Sequence, residues 1–96
     1  MADVRRLVLD VLKPHDPPLV AFTADVADTE SVEAISGSLI ELDKEVQNVK
    51  LTLEGSSLDY DAVEAAVEDL GGTIHSVDEV AFGDYIVEER LTLQDG

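Results

Sequence analysis

A chain of 96 residues, 45% of them hydrophobic, can build one modest core and has no room for two domains. Twenty-two Asp and Glu against six Lys and Arg give a formal net charge of −16, which opposes binding to nucleic-acid phosphates. Phe22, Tyr60, Phe82 and Tyr85 are too few to stack bases, no apolar run reaches the ~18 residues of a membrane span, and the absence of cysteine excludes disulfides and thiolate chemistry.

The acids are spread along the chain and not blocked, and lysine is scarce, at Lys13, Lys44 and Lys50 only. Such a chain repels itself in dilute buffer, and salt screens that cost. The composition fits a halophilic cytoplasm kept at molar salt better than an acidic face for a basic partner. The N-terminus lacks the apolar core of a secretory signal, so a cytoplasmic location is the expectation.

Residues 4–12 read as a first strand, with Leu7, Leu9 and Val11 on one face and Arg6, Val8, Asp10 and Leu12 on the other. The prolines of residues 13–18 end it. Asp16 suits a helix N-cap with Pro17 at the first helical position, and Leu19, Phe22, Thr23 and Val26 follow at helical spacing to about Asp28. Residues 32–43 read as a second strand through Ile35, Leu39, Ile40 and Leu42, with Gly37 a bulge or a point of close approach. A polar turn at residues 44–48 leads to a third strand in which Val49, Leu51 and Leu53 face inward, forming a hairpin with the second.

The second helix has the clearest signals. Asp59 can cap it, Leu58 and Val63 can form a hydrophobic staple, and Gly71-Gly72 supplies the stop. Val63, Ala66, Val67 and Leu70 form its buried stripe. Residues 73–82 read as a fourth strand and residues 85–91 as a short extension that can act between subunits. The order βαββαβ predicts an α+β ferredoxin-like sandwich, with strand order 4-1-3-2 and both helices on one face. The other face is expected to expose an apolar patch of Val8, Leu12 and parts of strands two and four, which points to a homo-oligomer packed through that face, the strand edges or the extension at residues 85–91.

In this topology the end of strand one lies beside the start of strand four, bringing His15 toward His75 and setting Asp10 opposite Asp78. Imidazole with carboxylate suits zinc or a similar ion, and carboxylates with carbonyls suit calcium or magnesium. His15, His75, Asp10 and Asp78 are therefore candidate metal ligands, with Lys13 and Asn48 expected at the same end. The plainer reading leaves His15 and His75 structural and bonds Asp10 to Lys13 or Arg6. Asp43 is a further metal candidate, but three strand spacings of about 4.8 Å separate strand two from strand four, so it is expected to meet His75 only across a subunit boundary. Neighbouring strand residues face opposite ways, so His75 and Ser76 do not make a nucleophile–base pair, and no phosphate loop or nucleophile elbow occurs.

Residues 9–15 (LDVLKPH), 40–45 (IELDKE) and 71–80 (GGTIHSVDEV) together resemble the archaeal domain-of-unknown-function family 211, over nearly the whole chain and in the same order. The resemblance implies the ferredoxin-like fold, assembly into homo-oligomers including closed rings, and divalent-cation binding, calcium or similar. The acidic composition would make this a haloarchaeal member. The family supplies no reaction. The expectation is thus a non-enzymatic, self-assembling protein whose partner is itself, with no nucleic acid and no membrane, binding a divalent cation or small ligand near subunit interfaces. The alternative is a small-molecule sensor acting on a partner protein, and an enzyme using His15 and His75 stands behind both.

Overall fold

Alternating apolar residues on β1 (Val4–Pro14) place Leu7, Leu9 and Val11 across from Leu53, Leu51 and Val49 of β3 (Val46–Glu54). In the computed structural model, which describes residues 3–84, these six are buried against Phe22 and Val26 of α1 (Leu19–Ala27) and Val63 and Val67 of α2 (Tyr60–Asp69). β2 (Ala34–Leu42) and β4 (Thr73–Phe82) complete the sheet. All pairings are antiparallel and the order is β2-β3-β1-β4, the ferredoxin-like arrangement expected from the sequence. The extension read at residues 85–91, with Glu88, Glu89 and Arg90, lies outside the described residues.

α2 begins and ends as its sequence dictates. The Asp59 carboxylate accepts from Ala62 N at 3.2 Å, and Leu58 and Val63 are both buried in the core. At the other end Gly72 N donates to Val67 O at 2.9 Å and Gly71 N to Glu68 O at 3.0 Å, with Gly71 at φ +87°. That pair of bonds is a Schellman stop, and the left-handed residue in it favours glycine.

α1 starts later than expected. Pro18 occupies the N-cap position, without a side-chain cap, and Asp16 stands outside the helix. Pro17 precedes Pro18, and the residue before a proline is driven out of the helical region, so the helix cannot begin there. The β2–β3 hairpin is also tighter than the polarity of residues 44–48 indicates: β3 already starts at Val46 and Asp43 N donates to Val46 O at 3.0 Å.

Gly37 serves as a close-approach point. A Cβ there would run into Thr23 Oγ1, so its absence lets α1 settle onto β2. The bulge in β2 falls instead at Ile40, between the pairs Leu39–Val49 and Glu41–Asn48. β4 carries two more, skipping His75 and Asp78 in its ladder with β1.

The open face is not the apolar patch expected. Across it run Ser38, Lys50, Asp10 and Ser76, then Ser36, Thr52, Val8 and Glu79, and Val8 is buried among these neighbours. Exposed apolar side chains gather on the outer strands: Leu39, Ile40 and Leu42 (49–62% exposed) on β2, and Val77, Val80 and Phe82 (46–55%) on β4. The reason is length. Helices of 9 and 10 residues span about 15 Å, whereas the 11-residue β1 spans about 36 Å, so the helices cannot cover the sheet. β2 and β4 run antiparallel to one another, which sets the two apolar ends at diagonally opposite corners.

Candidate functional site

One end of the open face holds a pocket of about 210 Å³ lined by Asp10, Leu12, Glu41, Asp43, Val46, Asn48 and His75. Leu12 and Val46 supply the apolar part of its wall, and the other five residues supply polar groups. The strands bring these together because Asn48 pairs with Leu12 on one side and with Glu41 on the other. The bulge at Ile40 is what turns Glu41 toward this face. Strict alternation from Leu39, which pairs with core residue Val49, would have turned Ile40 there instead.

Asp10 is held by Asn48, whose Nδ2 donates to Asp10 Oδ1 and also to Val11 O at 3.3 Å. It bonds neither Lys13 nor Arg6; Arg6 Nε lies 3.8 Å from Glu54. Asp10 pairs with Ser76 and not with Asp78: the ladder starts from Leu12 opposite Thr73, and the bulge at His75 moves the partner of Asp10 from His75 to Ser76. Asp78 accepts instead from Ser76 Oγ at 2.8 Å, on an exposed edge. His15 is exposed and bonds the Asp43 carbonyl through Nε2 at 2.8 Å; it does not line the pocket. Asp43, expected to meet His75 only between subunits, lines the same pocket within one chain, because the β2–β3 turn lies beside it. Thus Asp10, Asp43 and His75 share the pocket, while His15 touches it through Asp43 and Asp78 lies apart. Glu41 was not singled out in the sequence.

Among the described residues no three His, Asp or Glu side chains gather closely enough to hold a metal ion. One chain therefore presents carboxylates and an imidazole around a pocket, but no closed coordination set.

Lys13 continues the row of Leu7, Leu9 and Val11, so it faces the helices and not the pocket. It is buried, donates to Gln47 Oε1 and Pro14 O, each at 2.7 Å, and lies 5.7 Å from the centre of the Phe22 ring. Burial lowers its pKa from the ordinary 10.5, with Asp16 opposing the change. A wider depression of about 570 Å³ surrounds the start of α2. Two of its polar side chains, Ser31 and Asp59, are used in capping: Asp59 N donates to Ser31 Oγ at 3.0 Å, and the Asp59 carboxylate accepts from Ala62 N.

Fold and site together define a small ferredoxin-like α+β domain with a polar pocket at one end of its open sheet. The chain belongs to the DUF211 family, described as uncharacterized ArCR, whose model matches residues 5–96. It is similar to "Uncharacterized protein MJ0319" of the archaeon Methanocaldococcus jannaschii, 44% identical over 95 residues that cover 99% of this chain and 98% of the relative.

Proposed function

We propose that the protein is a halophilic, non-enzymatic self-assembling unit that binds a divalent cation or small ligand beside its subunit interface. The observation that carries this reading is the pair of apolar corners, Leu39, Ile40 and Leu42 on β2 and Val77, Val80 and Phe82 on β4. In a chain of net charge −16, clusters of exposed Leu, Ile, Val and Phe are surfaces to be covered. The two corners are different surfaces at opposite ends of one molecule. Contact between unlike surfaces is head-to-tail, and a head-to-tail series that closes is a ring.

The pocket borders the first corner, since Glu41 lies between Ile40 and Leu42. A neighbour docked there would add donors to Glu41, Asp43 and His75, supplying what one chain lacks for coordination. Calcium fits a carboxylate-rich set of this kind. Light scattering in molar salt tests assembly, with a single species heavier than one chain expected. Calcium titration of the assembled protein tests the pocket: E41Q/D43N should weaken binding at least tenfold, and unchanged binding would remove the cation from this reading.

A further inference from the structure

This inference rests on the self-assembly reading and adds a second contact to it, along the free edge of β2. β2 contains a single charged residue, Glu41, and no proline across nine residues, and among the described residues no strand lies on its outer side. An edge of this kind pairs readily with another strand. The β4 edge is a poor partner for it, because bulges at His75 and Asp78 interrupt that strand and it carries Asp78 and Glu79. In a chain of net charge −16, the edge that β2 meets with least repulsion is β2 of a second copy.

The register of such a pair is restricted. Asp43 N donates to Val46 O in the hairpin, so alternation turns the backbone of Glu41, Ser38 and Ser36 toward β3 and that of Leu42, Leu39, Gly37 and Ile35 outward, with Ile40 bulged between them. Leu42, Leu39 and Ile35 place their side chains on the helix side, opposite Gln47, Val49 and Leu53. A twofold axis normal to the sheet keeps the two faces aligned, which requires one β2 residue to stand opposite itself. Centred on Gly37, the pair would set Leu42 against Glu33 of the second copy; centred on Leu39, it would set Lys44 against Ile35. Centred on Ser38, it sets Leu42 against Ile35, Leu39 against Gly37 and Glu41 against Ser36, and brings Lys44 toward Glu33 at each end. Apolar then meets apolar, and the exposed charges at the strand ends are opposite in sign. The outward backbone groups exchange about eight hydrogen bonds in this register.

We propose that β2 pairs antiparallel with β2 of a second copy, about a twofold axis at Ser38. Leu39 and Leu42 stay on the helix side of the joined sheet, open to the β4 corner of a further copy. A twofold contact added to a head-to-tail ring gives an even number of chains.

The chain has no cysteine, and Ser36 and Ser38 are both exposed, so the register is open to crosslinking in the full chain. Across the proposed axis the two Ser38 Cα atoms stand about 4.5 Å apart, within disulfide reach, whereas the two Ser36 Cα atoms stand about 14 Å apart, beyond it. S38C and S36C are each assembled in molar salt at equal concentration and mildly oxidised. S38C should become a covalent dimer, and S36C should give about tenfold less. A protein that is assembled by light scattering, yet in which S38C gives no dimer or S36C links as readily, overturns this inference and leaves self-assembly standing. In a mixture of the two variants, S36C–S38C links in preference to S38C–S38C links also overturn it, since they place the axis at Gly37. A monomer by scattering removes the self-assembly reading itself, and this inference with it.

Discussion

Glu41 stands opposite Asn48 across the β2–β3 ladder because Ile40, one residue earlier, is bulged out of register. That single irregularity places a carboxylate at the mouth of the pocket and leaves Ile40 exposed beside it. Asn48 in turn holds Asp10, so one side chain organises the pocket's floor from the centre of the sheet.

Removing that side chain should therefore be costly. N48A leaves the half-buried Asp10 carboxylate without its donor, and hydrogen bonds to charged groups contribute about 1.5–3 kcal/mol. Urea denaturation at constant salt should show a loss of that size. A change within experimental error would mean that water replaces Asn48 without penalty.

Gly37 and Thr23 should behave as a coupled pair. G37A drives a methyl group into Thr23 Oγ1 and should destabilise by about 1–3 kcal/mol, the usual cost of overpacking. T23A removes the obstructing atom, so G37A in the T23A background should cost clearly less. A double-mutant cycle with no coupling would contradict the close-approach role.

The alkaline limb of the stability curve should contain two opposing contributions. Lys13 has a folded pKa below 10.5, so between the folded value and 10.5 the unfolded chain binds more protons, and stability rises with pH through that window. Tyr60 is raised above 10.0, by burial first and then by Glu64, Asp61 and Glu68, so its contribution is lost as pH rises past 10 through the folded value. K13M should flatten the rise and Y60F the fall, each followed by thermal unfolding at fixed salt. Unchanged slopes would place both groups in ordinary solvent.

Salt should stabilise the fold. The Debye length shortens from about 10 Å at 0.1 M to about 3 Å at 1 M, which screens most repulsion among separated carboxylates. The unfolding midpoint should rise between 0.1 M and 2 M KCl, by about 4–8 °C for each kcal/mol recovered. A flat or falling midpoint would remove the salt-adaptation reading.

Much of the fold was legible because it rests on short-range signals. The period-two rows of β1 and β3, the Asp59 cap and the Gly71-Gly72 stop each act within a few residues. Strand order followed from the handedness of two crossovers. The pocket was legible only in part, because bulges decide it and a one-residue insertion leaves no compositional trace. Alternation carried past Ile40 hides Glu41, and the β1–β4 register, which sets Asp10 opposite Ser76 and not Asp78, depends on bulges at His75 and Asp78. The uncovered surface was misplaced at the sheet centre for a different reason: Val8 looks exposed by strand parity, but Thr52 and Glu79 flank it in the sheet. The burial of Lys13 did have a signal. It continues the parity of Leu7, Leu9 and Val11, and only the habit of lysine to stay in water argued against it.

The central claim is that two unlike apolar corners make a single chain incomplete. Multi-angle light scattering of the full chain in 2 M KCl, over a hundredfold range of concentration, tests it most directly. The account predicts one monodisperse species with the mass of several chains, which L42K or V80K shifts toward the 10.3 kDa monomer. A wild-type protein that runs as a 10.3 kDa monomer across the range would contradict it.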